Sequence, residues 1–251
     1  MFATERKRAI LDLLEKQGKV KVIELSETFD VSEPTIRRDI KELDEKGMLI
    51  RTHGGAIARE EGEHEPSFKE KQDKYYKEKE SIGKLAAGLV NEGDIILLDS
   101  GTTTLQIAKE LIVKNITVVT NSLDIAYELE KKPDVEVVLT GGIMRWNTRA
   151  MVGPVADGAL EKFHVDIAFM GTNYISIDGG LTTHNMMEAN TKSNMINIAK
   201  RVFVVCDHTK FDKTTFYRIA SLKDLDGVIT DRGMTQEMMK RYEQEDLDIL
   251  I

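Results

Sequence analysis

Cysteine is nearly absent from this sequence, since Cys206 is the only one among 251 residues. A single cysteine cannot form an intrachain disulfide or a cysteine-based metal site, so disulfide-stabilised secreted folds and zinc ribbons are excluded. The five histidines lack the paired spacing of an HExxH motif, and we predict neither a metal nor a cofactor. A reducing cytoplasm is the compartment that this composition favours.

Long apolar runs are also missing. No stretch approaches the ~20 apolar residues that a helix needs to cross a bilayer. The first 19 residues, MFATERKRAILDLLEKQGK, have charges on both sides of their apolar positions and no small-residue cleavage site, unlike a signal peptide. With 41% hydrophobic and 31% charged residues, the chain is expected to be soluble and to bury a core.

The negative charge of the chain is unevenly distributed. The formal net charge is -8, yet residues 1–59 carry 12 Lys+Arg and 11 Asp+Glu, which leaves 23 and 32 for residues 60–251. A nearly neutral segment with clustered cations can bind a polyanion, because local potential matters more than the total charge.

Three helical patterns precede residue 48, and the third collects cations. TERKRAILDLLEKQGKV and VIELSETFD predict the first two helices, and VSEPTIRRDIKELDEKG predicts the third. Ser32 is a good N-cap for the third helix, and Gly47 can end it. Its apolar positions recur at i, i+4 and i+7, at Ile36, Ile40 and Leu43.

The cations of the third helix lie off this apolar face. An exposed helix with Arg37, Arg38 and Lys41 fits the major groove of DNA, with its N-terminal residues nearest the bases. The alternative is a solvated face on which the arginines pair with Asp39 or Glu42.

A β-hairpin is predicted after the third helix. MLIRTHGGAIA indicates a strand, a Gly-Gly turn and a strand, which beside a helix-turn-helix forms a wing. Its edge is placed to reach phosphates or the minor groove, although the same pattern also fits a surface turn without DNA contact. The predicted DNA-binding residues are Ser32, Thr35, Arg37, Arg38, Lys41, Arg51, His53 and Gly54.

Residues 5–57 closely resemble the DNA-binding domain of DeoR-type bacterial transcriptional regulators. The resemblance is carried by ELSETFDVSEPTIRRDIKELDEKG and LIRTHGGA. It implies a winged helix that places residues 32–41 in the major groove.

From about residue 81 the pattern alternates between strands and helices. The strand-like runs are short and rich in β-branched residues: DIILLD, ITVVT, VEVVLT, VDIAFMG, RVFVVCD and DGVIT. This alternation predicts an α/β fold, a Rossmann-like domain with a largely parallel sheet covered on both faces. We therefore predict a winged helix-turn-helix domain at 1–59, a charged and partly helical linker at 60–80, and an effector domain at 81–251.

The stretch DIILLDSGTTTLQIAKEL indicates a strand, a short loop and an amphipathic helix. Small residues let backbone N–H groups face outward, the helix N-terminus adds partial positive charge, and hydroxyls supply further donors. These features predict a phosphate site without a P-loop lysine, at Ser100, Gly101, Thr102, Thr103 and Thr104. A Ser/Thr-rich helix N-terminus without a ligand is the alternative.

Polar residues lie at the ends of the other predicted strands. Ligands of open α/β sheets bind outside the carboxyl ends of the strands, so these residues are expected to converge on one crevice. They are Asn121, Ser122, Gly142, Asp166, Asp207 and Lys210, with Arg145 and Arg149 as candidate phosphate clamps.

This second half resembles the effector domain of the DeoR family, through DSGTTT, TNS, LTGG, DIAFMGT, MEANTKSNMI and DHTKF. That domain is similar to ribose-5-phosphate isomerase and glucosamine-6-phosphate deaminase, and it usually senses a phosphorylated sugar or a related metabolite. The resemblance implies that residues 100–104 hold the phosphate with help from Lys210. It also implies that four carboxylates face the sugar hydroxyls: Asp99, Asp166, Glu188 and Asp207.

Catalysis is not expected. The related isomerases need a carboxylate base and a nearby lysine or acid for proton transfer. Glu188 aligns with the isomerase glutamate, but GGLTTH lacks the lysine that precedes it there.

These patterns predict a DNA-binding transcriptional regulator, a repressor of sugar metabolism genes whose operator binding responds to a phosphorylated sugar. A homodimer or homotetramer would set two winged helices on two operator half-sites. Two alternatives stay open. One is a sugar-phosphate isomerase or deaminase-like enzyme with an attached DNA module, and the other is a constitutive DNA-binding protein whose second domain only oligomerises.

Overall fold

Two compact units make up the chain, divided between Glu65 and Pro66. The structure, a computed structural model, describes residues 2–45, 48–57 and 65–251. Gly47, the predicted stop of the third helix, lies outside the described residues, as do residues 60–64 of the predicted linker. Residues 66–80 of that linker belong to the second unit, so the division falls inside the predicted linker.

The first unit is a trihelical fold with a small antiparallel sheet in the order β1-β3-β2. Apolar side chains at helical spacing, among them Ile10, Leu25, Ile36 and Ile40, are buried in its core. The predicted hairpin is present and pairs with a strand, β1, that was not predicted. The elements are α1 (Ala3–Gln17), β1 (Lys19–Lys21), α2 (Val22–Phe29), α3 (Glu33–Glu45), β2 (Ile50–Arg51) and β3 (Gly55–Ile57).

The second unit begins with two helices and then alternates strands with helices, as its sequence predicts. Its elements up to the middle of the unit are α4 (Phe68–Gln72), α5 (Tyr76–Ala87), β4 (Ile95–Leu98), α6 (Thr102–Glu110), β5 (Ile116–Thr120), α7 (Leu123–Leu129), β6 (Val135–Leu139), β7 (Ile143–Arg145), β8 (Ala150–Val152) and α8 (Pro154–Leu160). The remaining elements are β9 (Val165–Met170), β10 (Tyr174–Ser176), β11 (Gly180–Thr183), α9 (Met186–Asn197), β12 (Ala199–Val205), β13 (Tyr217–Ala220), β14 (Gly227–Ile229), α10 (Gln236–Glu243) and β15 (Asp248–Leu250).

A seven-stranded parallel sheet in the order β15-β14-β12-β9-β4-β5-β6 forms the centre of this unit. Successive side chains of a strand enter opposite cores: Leu97 belongs to one buried cluster, and Ile96 and Leu98 belong to the other. Burial on both faces explains why the central strand β4 is apolar at consecutive positions. The predicted α/β, Rossmann-like fold behind a winged helix-turn-helix is confirmed.

The strand order reverses at β4, which lies between β5 on one side and β9 on the other. In open α/β sheets, a reversal of this kind leaves a crevice at the carboxyl ends of the two central strands, where ligands bind. The loop that follows β4 therefore starts at the position where a ligand site is expected.

Two smaller sheets were not predicted. One contains β10, β11 and β13, and the other is an antiparallel pair of β7 and β8, which we call the β7–β8 hairpin (residues 143–152). The hairpin is joined to the end of β5, where the Met151 N–H donates to the Asn121 carbonyl at 2.8 Å. Among the described residues, no helix combines the length and apolar character needed to cross a membrane.

Candidate DNA-binding face and ligand crevice

Helix α3 exposes the cations that the sequence singles out, and each is paired with a carboxylate one turn away. Arg37 lies 3.2 Å from Glu33, and Arg38 lies 3.3 Å from Glu42. Lys41 is paired in the same way with Glu45, at 3.6 Å. Exposed pairs of this kind contribute only about 0–1 kcal/mol, so a DNA phosphate can replace the carboxylate at little cost.

The start of α3 and the wing turn lie next to each other. The Ser32 carbonyl accepts the N–H of Ile36 at 3.2 Å, and the Ser32 hydroxyl lies 2.9 Å from Thr35 Oγ1. The Arg37 guanidinium donates to the His53 carbonyl at 3.3 Å, which joins helix and turn. Gly55 follows that turn, where a Cβ atom would lie 1.9 Å from the Val20 carbonyl oxygen.

A buried ion pair fixes α3 against α1. Arg6 Nε lies 2.6 Å from Asp39 Oδ2, and the two side chains are only 8% and 5% exposed. Asp39 therefore does not pair with the exposed arginines of its own helix, whereas the Arg38–Glu42 pair is one that the solvated-face alternative expects. Glu42 pairs with both Lys7 and Arg38, so one carboxylate joins the buried side of α3 to its exposed face.

In the second unit, Asp99 follows β4 and is completely buried. Its Oδ2 atom accepts hydrogen bonds from the Gly171 N–H at 2.9 Å and from Lys192 Nζ. Lys192 also donates to the Gly171 carbonyl at 3.0 Å. The Oδ1 atom of Asp99 has no hydrogen-bond partner within the described part of the chain. Burial raises the pKa of Asp99 above its ordinary value, while Lys192 opposes that shift.

Helix α6 begins at Thr102, three residues after Asp99, with Gly101 before its first turn. Thr102, Thr103 and Thr104 form that turn and are buried. The first N–H groups of an α-helix have no partner within the helix, and they carry partial positive charge. Such a turn can bind an anion at the carboxyl end of β4.

The β7–β8 hairpin supplies partners for Glu188, which lies in the first turn of α9 and is 2% exposed. Arg145 NH1 lies 2.5 Å from Glu188 Oε1, and the Thr148 hydroxyl donates to the same oxygen. The Thr183 hydroxyl lies 3.1 Å from Oε2. Because Glu188 also raises the pKa of Asp99 through its charge, the two carboxylates are close enough to interact.

The segment after β12 lies at the carboxyl end of the parallel sheet. Asp207 is buried and caps a short 3-10 turn by accepting the Thr209 N–H at 3.1 Å. Lys210, in that turn, has its ammonium 5.8 Å from the centroid of the Tyr174 ring. Lys79 of α5 interacts electrostatically with both Asp207 and Lys210.

Residues 74–232 match the family described as DeoR C terminal sensor domain, and residues 6–61 match the DeoR-like helix-turn-helix domain. The chain belongs to the DeoR family of transcriptional regulators. The sensor-domain match lies in the second unit of the DeoR-family chain, and the helix-turn-helix match lies in the first.

Relatives of this DeoR-family regulator match it over its whole length. The uncharacterized HTH-type transcriptional regulator YulB of Bacillus subtilis is 34% identical over 99% of this chain and 96% of its own. The HTH-type transcriptional repressor GlcR of the same species is 34% identical over 100% of this chain and 97% of its own. Among solved structures, ribose 5-phosphate isomerase A of Methanocaldococcus jannaschii aligns with 53% of this chain over 53% of its own. The TM-score is 0.39 and the sequence identity is 18%.

Asp166 does not belong to the crevice, and its predicted role is corrected. It lies at the amino end of β9, where it accepts the Ile95 N–H at 2.9 Å and pairs with Lys200 at 2.7 Å. Gly171 lies five positions further along the chain, which corresponds to about 16 Å in a strand. Asp166 lies near the start of β9, whereas the crevice is expected at the end of that strand, so the prediction placed the residue at the wrong edge of the sheet.

Several other predicted ligand residues of the regulator are occupied by contacts within the fold. The Asn121 side chain accepts the Ser100 N–H at 2.9 Å, and Ser122 caps α7. Gly142 has a φ of 122°, and a Cβ there would lie 2.8 Å from the Val152 carbonyl oxygen. Arg149 pairs with Asp124 at 2.8 Å, which directs its guanidinium towards α7.

Lys192 and Lys79 were missed by the sequence analysis. Lys192 lies one turn after Glu188 on α9, and that i, i+4 spacing was the available signal. Lys79 falls in a segment interpreted as a solvated linker, yet it is only 3% exposed. No group of three or more His, Cys, Asp or Glu side chains in residues 2–45, 48–57 and 65–251 could hold a metal ion.

The environment of Lys79 leads to a pH prediction. Its ammonium donates to the Lys74 carbonyl at 2.5 Å, and burial lowers its pKa from 10.5 to about 8, against the opposing charge of Asp207. Between these values the unfolded chain keeps a proton that the folded chain has released, so folding stability rises with pH there. We expect a slope of up to about 1.4 kcal/mol per pH unit relative to Lys79→Met.

Urea unfolding at pH 8, 8.7 and 9.4 measures this slope. Lys77→Met, which changes an exposed lysine on the same helix, is the matched control and is expected to behave as wild type. Parallel pH curves for wild type and Lys79→Met would contradict the prediction.

Proposed function

We propose that this DeoR-family regulator represses genes of sugar metabolism and that a phosphorylated sugar or related metabolite, bound in the crevice, changes its affinity for operator DNA. The ligand binds one arrangement of the chain better than another, and operator affinity changes by that difference in binding free energy. Repression is supported by the relative GlcR, which is named as a transcriptional repressor. The regulator acts in the cytoplasm as a homodimer or homotetramer, so that two winged helices meet two half-sites.

The proposal of a phosphorylated sugar rests on two neighbouring features: the N-terminus of α6, which is suited to an anion, and the buried pair of Asp99 and Lys192. The first turn of α6 suits a phosphate, and it begins three residues after Asp99. Asp99 keeps one buried oxygen without a hydrogen-bond partner among the described residues, and Lys192 beside it is a donor. A hydroxyl of a sugar satisfies such an oxygen, because burying an unsatisfied acceptor costs about 1–3 kcal/mol.

A sensor is favoured over an enzyme by the state of Glu188. Its carboxylate is held by Arg145, Thr148 and Thr183, and a general base needs an oxygen directed at the substrate. The relatives are also named as regulators rather than as enzymes.

A thermal-shift screen against phosphorylated sugars and sugar alcohols tests the ligand class. Free sugars and inorganic phosphate are the controls. A ligand at 100 times its Kd stabilises the folded state by about 2.7 kcal/mol, which gives a clear rise in melting temperature. A shift that requires both the sugar and the phosphate is expected. A shift with phosphate alone, or none across the panel, contradicts the proposal and favours a second unit that only oligomerises.

Replacing Arg38 by alanine is expected to weaken operator binding by about 1–3 kcal/mol, because this side chain is 82% exposed and lies on the face assigned to the major groove. The measurement is a titration of a genomic DNA fragment selected by the purified protein. Arg8→Ala removes the same charge from an exposed position of α1 and is the matched control. Equal losses in the two variants would remove Arg38 from the base-contacting set.

A further inference from the structure

The β7–β8 hairpin contacts the crevice through two of its side chains. Arg145 and the Thr148 hydroxyl both bind Glu188 Oε1, and the Thr148 residue is 8% exposed. The position of the hairpin tip therefore depends on the contacts of the Glu188 carboxylate.

The same tip holds the segment through which the chain enters the second unit. We call residues 66–79, from the unit division to Lys79, the proximal segment. The Phe68 N–H donates to the Asn147 carbonyl at 2.7 Å, and the Arg149 guanidinium lies 5.0 Å from the centroid of the Phe68 ring. Phe68 is 3% exposed and is only the third residue of the second unit.

The far end of the proximal segment, at Lys79, interacts with charged groups that follow β12. The Lys79 ammonium donates to the carbonyls of Lys71 and Lys74 within the segment and interacts with Asp207 and Lys210. The segment thus contacts two sets of groups around the crevice, one near Glu188 and one near Asp207. A change at either set alters the contacts that hold it.

We propose that the β7–β8 hairpin couples the ligand crevice to the DNA-binding unit by holding Phe68. This inference rests on the proposed function. A ligand hydroxyl that takes Glu188 Oε1 or Arg145 competes with the Thr148 hydroxyl, because one carboxylate oxygen has few acceptor positions. Thr148 and Asn147 are neighbours in the hairpin tip, so release of Thr148 weakens the hydrogen bond to Phe68. The ligand acts by its different affinity for the held and released arrangements.

Hydrogen exchange at the Phe68 amide tests the coupling without any ligand. Thr148→Val removes the hydroxyl at constant shape, and we expect exchange at Phe68 to become about fivefold faster. Thr117→Val is the matched control, because it also removes a hydroxyl near a carboxylate: Thr117 Oγ1 lies 3.3 Å from an oxygen of Glu136. Glu136 belongs to the edge strand β6, which pairs with β5 and is separated from β4 by it. Equal exchange at Phe68 in Thr148→Val, Thr117→Val and wild type would overturn the proposal.

A second variant tests the response itself. Phe68→Leu keeps every crevice side chain and fills most of the space of the ring, but it removes the contact with Arg149. In titrations with ribose 5-phosphate, fructose 6-phosphate, glucose 6-phosphate and glycerol 3-phosphate, we expect a normal thermal shift and a loss of at least half of the change in operator affinity. A full operator response in Phe68→Leu overturns the coupling. If none of the four compounds binds wild type, the proposed ligand class fails, while the exchange comparison still decides the coupling.

Discussion

The free energy of unfolding of the second unit is expected to fall by about 3–5 kcal/mol when Lys192 is replaced by methionine. Asp99 is completely buried, and its Oδ2 atom is bound by Lys192 and by the Gly171 N–H. Methionine keeps the unbranched shape of the lysine stem but removes the ammonium, which leaves a buried carboxylate without its counter-charge. Urea denaturation followed by circular dichroism measures the loss, and a thermal-shift titration is expected to show that ligand binding is also lost.

Lys200→Met is the matched control for this prediction. It makes the same chemical change in a lysine that is 74% exposed and pairs with Asp166 at the amino end of the sheet. Exposed pairs contribute about 0–1 kcal/mol, so the control is expected to stay within that range. Adding Asp99→Asn to Lys192→Met removes the unpaired charge and should restore most of the stability, but not ligand binding. A loss in Lys192→Met no larger than in Lys200→Met would contradict the importance of the buried pair.

Local patterns were sufficient to predict helix α3 and the parallel sheet. Ile36, Ile40 and Leu43 recur at helical spacing and are buried, because a helix repeats its faces every 3.6 residues. The strands of the sheet are apolar at consecutive positions because both of their faces are covered. Both features depend only on near neighbours in the sequence, so one sequence contains the necessary information.

The direction in which each strand runs decides which of its polar neighbours lie at the crevice. The rule for open sheets directs attention to residues after the strands, and Asp99 lies after one. Asp166 is polar and adjoins a strand as well, but it lies at the opposite edge of the sheet. Only the direction of the strand separates the two cases, and that direction has to be applied residue by residue.

Pairs between distant parts of the chain could not be predicted. Glu188 meets Arg145 across 43 positions, and Asp99 meets Lys192 across 93. Neither pair leaves a periodic trace in the sequence, because packing of the elements brings the partners together. The contact between the β7–β8 hairpin and Phe68 could not be predicted for the same reason, because it depends on where the first residues of the second unit pack.

Replacing Asp39 by leucine is expected to destabilise the first unit by about 3–5 kcal/mol, because the Arg6 guanidinium is left buried without a carboxylate. Leucine is larger than aspartate and has a good helix propensity, so the loss reflects neither a cavity nor a weaker helix. The measurement is hydrogen exchange of the α3 amides in the intact protein, which reports the opening of this unit separately from the second one. Operator binding is expected to fall with it, since α3 carries the exposed cations.

Two further variants separate charge from packing at Asp39. Asp12→Asn changes an exposed carboxylate of α1 and is expected to leave exchange of the α3 amides unchanged. Combining Asp39→Leu with Arg6→Met replaces the pair by apolar side chains, which is often neutral or stabilising for a buried ion pair. Recovery of slow exchange in the double variant, with loss in Asp39→Leu alone, is the expected pattern. If the double variant is as unstable as Asp39→Leu, the unpaired guanidinium is not the cause, and the loss comes from packing around position 39.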